Sequence, residues 1–198
     1  MIAVVGSKDG QFHFMDSNKF MFQCEIDPNN IYYNEMCGHK FLLDNYERFK
    51  NDPYIGLEHY RRAFDYEDSF ISEILSVYDI IVKAEHGPYG DDTHLSVLAH
   101  CSRHGENYLE HATAWVARFP ELQHQASLRT HFGCNMLIAR PEKYREMMEE
   151  EFSYIDEIMK TPNLKRSEVS YFCETIITPY IIRKHNRNIC IGRVKTCL

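Results

Sequence analysis

The sequence has no run of eighteen apolar residues, no CxxC pair, no stripe of basic residues and no glycine-rich phosphate loop. Each absence removes a class of protein. Without a long apolar run no membrane-spanning helix is expected. The opening "MIAVVGSKDG" lacks the basic flank and length of a signal peptide. A soluble, cytoplasmic chain is therefore expected, with peripheral membrane contact left open. Seven cysteines (24, 37, 101, 134, 173, 190 and 197) form an odd set without metal-ligand spacing, which argues against a disulfide framework and a structural zinc site. The 22 Lys and Arg are scattered through a chain of net charge −7, so nucleic acid is not the expected partner. GxGxxG, GxSxG and the P-loop are all missing, which leaves dehydrogenase, serine-hydrolase and P-loop kinase readings without support.

What is present suits one domain. The chain has 198 residues, 44% of them hydrophobic, enough to bury a sizeable core. The 13 Tyr and 12 Phe serve either an aromatic core or stacking on a sugar or base. "IAVVG" reads as a first parallel strand closed by Gly6 and Ser7. Residues 32–49 follow the stop signal "DPNN" with apolar residues near helical spacing, predicting a first long helix. Then come the strand in "DPYIGLEHY", a helix in "DSFISEILSV", the strand "DIIVKA" and the turn-rich loop "HGPYGDD" at 86–92. A helical stretch over 93–119 ends at Pro120, and "HFGCNMLIAR" reads as another strand. "PEKYREMMEEEFSYIDEIM" is a helix with Pro141 at its start, "RSEVSYFCETIITPYIIRKH" is one broken or kinked at Pro179, and "NICIGRV" offers a last strand. The alternation predicts an α/β, Rossmann-like fold over residues 1–198, with a mainly parallel central sheet flanked by helices.

One stretch stands out. In "YIGLEHYRRAF", residues 54–64, an apolar strand runs into Glu58, His59, Tyr60, Arg61 and Arg62. Strands of open α/β sheets deliver ligand contacts at their carboxyl ends. Continued alternation would put His59 and Arg61 on one face and Tyr60 and Arg62 on the other. A guanidinium fork suits phosphate oxygens. Surface ion pairs with the following "DYED" explain the same charges. Asp65, Glu67 and Asp68 have the chemistry to hold Mg²⁺ or Mn²⁺, or simply to cap the next helix. Asp91 and Asp92, followed by His94, could act as base or metal ligands, or lie in a solvated loop. His100 and His104 share a helical face, but no Glu stands between them as in HExxH, so a metal-dependent hydrolase is the weaker alternative.

"YIGLEHYRRAF" resembles the "YIGLxHYRRxF" signature of the DUF4422 family, glycosyltransferase-like proteins of capsular and exopolysaccharide gene clusters grouped with the GT-A fold. Further blocks resemble that family in the same order: "NNIYYNEMCGHKFLLDN", "RHGENYLEHATAWVARFPEL", "FGCNMLIARPEKYREMMEEEF" and "SEVSYFCETI". Ser167 and Ser170 stand where the family usually has Arg and Gly, and the chain is short for the family over 83–100. The resemblance implies a GT-A-like domain with a donor-binding part over about 1–85 and an acceptor part over about 86–198. It implies transfer of a sugar from a nucleotide diphosphate donor to a saccharide acceptor, with a nucleotide- or sugar-binding module without turnover as the alternative. Donor contacts then fall on Val5, Gly6, Ser7, Asn34, Glu35, His59, Tyr60, Arg61 and Arg62, and sugar or acceptor contacts on Asn135 and Glu174. Asp91, Asp92 and Glu168 are the candidate catalytic carboxylates. Most GT-A enzymes hold a divalent metal with an Asp-x-Asp where this chain has His59, Tyr60 and Arg61. Arginines are expected to supply that positive charge, and the need for Mn²⁺ or Mg²⁺ stays open.

Overall fold

A computed structural model describes residues 2–5, 19–22, 35–59, 61–84, 96–102, 106–128, 130, 132–161 and 166–196. The strands β1 (Ile2–Val5), β2 (Lys19–Phe22) and β3 (Ile55–His59) pair in parallel, with β1 in the centre of the three. After β3 the chain doubles back into β4 (Arg62–Phe64), and His59 faces Arg62 across the turn. β5 (Ile80–Ala84) and β6 (Phe132–Ala139) pair antiparallel, and β6 also lies antiparallel against β3. β7 (Ile189–Ile191) closes the sheet beside β5, and β8 (Val194–Thr196) pairs with β4. The main path runs β2-β1-β3-β6-β5-β7.

The sheet is thus mixed, not mainly parallel as the alternation predicted. The reason is the connection from β5 to β6. Ala84 ends β5 directly beside Phe132, which begins β6. Between them come α4 (Val97–Ser102), α5 (Glu106–Arg118), a 3-10 turn at Pro120–Leu122 and α6 (Gln123–Ala126). These elements return the chain to the end it left, and a strand re-entering there must run backwards. A parallel strand would have required a crossover to the other end.

Two further expectations shift in detail. The expected helix over 32–49 is α1 (Glu35–Asp44) followed, after Asn45, by α2 (Tyr46–Phe49); residues 32–34 lie outside the described set. The helical stretch over 93–119 likewise divides into α4 and α5. The other helices are α3 (Asp68–Val77), α7 (Pro141–Met159) and α8 (Arg166–His185). Helix α8 runs through Pro179 without a break, although a proline there cannot donate to the Thr175 carbonyl.

The larger core fills the face of the sheet under α1, α7 and α8, where Leu57, Val82 and Leu137 meet Met36, Leu42, Tyr144, Met148, Ile155, Ile177 and Tyr180. The other face packs Ile81, Met136 and Ile138 against Ile71 and Leu75 of α3. Alternating side chains of β6 therefore serve both cores, as a strand covered on both faces must. At one end Asp79 ties α8 to β5: its carboxylate meets His185 Nδ1 at 3.2 Å and Arg140 at 3.7 Å.

Gly56 lets β3 and β6 close up. A Cβ there would stand 2.7 Å from Ile138 Cγ1 and 2.7 Å from the Leu137 carbonyl oxygen. Gly56→Ala is expected to destabilise the fold by about 1–3 kcal/mol in chemical denaturation, because the Leu137 backbone cannot give way. The Glu151 carboxyl in α7 is fully buried and bonds to nothing among the described residues. Burial pushes it well above the ordinary carboxylate range, so it stays protonated in the folded chain while the unfolded chain ionises near 4.5. Its contribution to stability is intact below that value and is lost as pH rises toward the folded-state value. Glu151→Gln, neutral at every pH, is expected to match the natural chain near pH 4 and to exceed its stability by a growing margin between about pH 5 and 8. A margin that stays flat across thermal melts in that range contradicts this assignment.

Candidate functional site

In an open α/β sheet, neighbouring strands whose connections leave in opposite directions open a crevice at their carboxyl ends. Here the chain passes from β1 to β2 on one side and then to β3 on the other, so the switch point lies between β1 and β3. Val5 and His59, the last residues of those strands, are register partners across it. The start of β6 comes to the same end, since Leu57 faces Leu137 and each strand continues two residues to His59 and Asn135.

Several sequence candidates meet here. His59 is buried and shares the Leu57 face of β3, under α1 and α7. Its Nδ1 accepts the Arg61 N–H at 3.3 Å, which tightens the turn. Arg62, half-buried, lies directly across from His59 and therefore on the same face. Arg61 sits at the exposed tip of the turn. The pairing by continued alternation, His59 with Arg61 and Tyr60 with Arg62, is thus overturned. The chain reverses after His59, and a reversal exchanges faces. On the opposite face the buried Glu58 takes the Phe64 N–H on Oε1 at 2.8 Å, fastening β4 to β3. The acids downstream are engaged in the fold: Asp65 meets Arg193 at 3.0 Å and Lys195 at 3.0 Å, and Asp68 accepts the Tyr54 hydroxyl.

Asn135 has the most unusual surroundings. It adopts φ 50, the one non-glycine residue with positive φ among those described. Asn tolerates that left-handed region better than most side chains. It is 2% exposed, yet its side-chain Nδ2 and Oδ1 make no hydrogen bond among the described residues. Its backbone carbonyl, by contrast, is firmly held. His39 of α1, completely buried, donates from Nε2 to that oxygen at 2.7 Å. The other ring nitrogen, Nδ1, lies 2.7 Å from the Tyr144 hydroxyl. A carbonyl only accepts, so Nε2 carries the proton and Nδ1 accepts from Tyr144. Burial holds the His39 imidazole down at about 4, against the pull of the Asn135 hydrogen bond, and keeps it neutral. Burial, helped by the Glu151 carboxyl, pushes the Tyr144 phenol well above its ordinary range.

The remaining candidates divide in two groups. Val5, Glu35, Glu168 and Glu174 have described backbone only, at the end of β1, the start of α1 and along α8. Glu174 stands one turn before Thr178, whose hydroxyl accepts the Phe132 N–H at 3.0 Å and brings α8 to the start of β6. Gly6, Ser7, Asn34, Tyr60, Asp91 and Asp92 lie outside the described residues, as does His104. Among the described residues no group of three His, Cys, Asp or Glu side chains is placed to hold a metal ion, and no helix is long and apolar enough to cross a membrane.

Sequence reasoning passed over His39 and Lys83. His39 follows Met36 and precedes Leu42 at helical spacing on the core side of α1, and a histidine at such a position needs buried partners. Lys83 is buried where the β5–β6 register shifts, near the carboxyl end of β5. Bulges re-aim side chains beside sites, but periodicity alone does not reveal them.

The family model for DUF4422, a domain of unknown function, matches residues 5–184. The chain belongs to the DUF4422 family. No curated protein matches it. Among solved structures, the apo form of the bifunctional glycosyltransferase WbbM shares the fold with a TM-score of 0.71 at 15% sequence identity. The match covers 98% of this chain and 45% of that one, so this DUF4422 chain spans less than half the length of WbbM.

The backbone of Asn135 yields a direct test. Asn135→Gly is expected to keep stability within about 1 kcal/mol of the natural chain, because glycine accepts positive φ without strain. Asn135→Ala keeps the strain with a less tolerant side chain and is expected to lose about 1–2 kcal/mol. Denaturant midpoints in which Ala matches or exceeds Gly would contradict the left-handed assignment.

Proposed function

We propose that this DUF4422 protein is a glycosyltransferase of GT-A type that binds a nucleotide diphosphate sugar at the carboxyl ends of β1 and β3 and transfers the sugar to a saccharide acceptor. The observation that carries this reading is the placing of His59, Arg62 and the Asn135 amide, unpartnered among the described residues, at neighbouring strand ends beside the switch point. The fold shared with part of a bifunctional glycosyltransferase supports it.

The chemistry follows from the residue types. Val5, Gly6 and Ser7, with Asn34 and Glu35, are assigned to the nucleoside. Arg62 and Arg61 take the diphosphate, with His59 and Tyr60 beside it. Each charge-assisted hydrogen bond of this kind is worth roughly 1.5–3 kcal/mol. As the bond to the sugar breaks, negative charge grows on the departing nucleoside diphosphate, and fixed guanidinium groups stabilise it without reorganising. The Asn135 amide, with donors and an acceptor, reads sugar hydroxyls, and Glu174 belongs to the acceptor side. In an inverting reaction a carboxylate takes the proton of the acceptor hydroxyl, and Asp91, Asp92 or Glu168 fills that role. Arginine charge makes a divalent metal an auxiliary in this scheme rather than the sole counterion. Residues up to about 85 form the donor part and the rest the acceptor part, apart from Asn135, which serves the donor's sugar.

Isothermal titration with a panel of UDP-sugars, with and without Mn²⁺, followed by an assay for released UDP, tests the reading. Binding with slow release of UDP is expected from the natural chain. Arg62→Ala is expected to weaken binding by about tenfold or more with unchanged circular dichroism, and Arg61→Ala to act in the same direction. Binding without any release points to a sugar-binding module. Absence of nucleotide binding sinks the proposal.

A further inference from the structure

We infer that His39 and Tyr144 are positioning residues that hold the Asn135 amide in place for the sugar; the inference rests on the donor reading above. The cost of the arrangement suggests a purpose. A buried amide without partners forfeits roughly 1–3 kcal/mol relative to one that is hydrogen-bonded, and a left-handed non-glycine backbone adds strain. Such features persist only where the surroundings overdetermine them. Here the surroundings are two hydrogen bonds in series, Tyr144 hydroxyl to His39 Nδ1 and His39 Nε2 to the Asn135 carbonyl, both 2.7 Å.

The chain of bonds crosses three elements that are distant in sequence: α1, the start of β6 and α7. None of its bonds uses the Asn135 side chain. The carbonyl is fixed and, among the described residues, the amide is left over, which is the pattern of a residue gripped by its backbone so that its side chain can serve something else. Tyr144 has its own part. By donating to Nδ1 it selects the tautomer in which Nε2 carries the proton, and the other tautomer would turn a lone pair toward the Asn135 carbonyl. Such an amide offers two donors and one acceptor, which together match a pair of neighbouring hydroxyls on a pyranose, whereas a bare diphosphate takes the donors but has no hydrogen to give the acceptor. The clamp therefore favours the sugar half of the donor.

The test compares affinities for UDP and for the UDP-sugars of the panel. His39→Leu is expected to weaken UDP-sugar binding by about tenfold while leaving UDP affinity within about twofold. His39→Gln, whose amide nitrogen takes the place of Nε2, is expected to restore most of that loss, and Tyr144→Phe to fall between the two. In an Asn135→Gly background His39→Leu is expected to cost nothing more, since it acts through the amide that is already gone. Equal losses for UDP and UDP-sugars, or a His39→Leu loss of the same size in both backgrounds, would overturn the inference. A second readout needs no ligand. The side-chain ¹⁵N amide cross-peaks of Asn135, identified by their disappearance in Asn135→Gly, are expected to shift or broaden in His39→Leu and Tyr144→Phe and to stay in place in His39→Gln. If the natural chain binds no UDP-sugar, the donor reading fails, and unmoved cross-peaks in His39→Leu would refute the clamp independently.

Discussion

The hydrogen bond from His39 to the Asn135 carbonyl joins the first helix to the reversed strand at the middle of the sheet, and much of the architecture depends on that joint. β6 is the strand that both β3 and β5 need, since it pairs with each. It enters from the carboxyl end of β5, beside Ala84, where its first residues have to turn into register. The left-handed backbone of Asn135 makes part of that turn, and its carbonyl needs a partner inside the core. A neutral histidine supplies a donor there without bringing a charge into an apolar layer.

Other polar side chains gather at the same end of the sheet. Parallel strands β1 and β3 stop together, the chain reverses between His59 and Arg62, and Arg62 returns on the His59 face. The result is a half-buried cation and a buried imidazole on one face, with a buried amide in β6 beside that strand end. Apolar packing on that face continues immediately behind them, through Leu57 and Leu137 to Met36, Tyr144 and Met148. Polar groups at strand ends beside an apolar core suit, in the proposed reading, a ligand that is anionic at one end and rich in hydroxyls at the other.

Much of this was legible in the sequence. "IAVV", "YIGLEH" and "HFGCNMLIA" announced their strands by apolar runs, and Pro141 marked the start of α7 to the residue. The sheet direction was not legible, because periodicity specifies a strand but not the end from which the chain enters it. β2 escaped notice because four residues, "KFMF", carry too little pattern to stand apart from their surroundings. In the candidate site, the charged tail of "YIGLEHYRRAF" singled out the strand end on which the proposal rests, while the hairpin after His59 changed which side chains share a face. Asn135 was visible as a polar residue in an apolar strand. His39 was harder, since nothing local separates a histidine that clamps a distant carbonyl from one that merely packs on a helix.

A crystal soaked with UDP would test the central claim most directly. The diphosphate is expected at the carboxyl ends of β1 and β3, within hydrogen-bond distance of Arg62 or Arg61, with Asn135 facing the space where a sugar would follow. A nucleotide bound at the opposite end of the sheet, or on the α3 face away from His59 and Asn135, would contradict it.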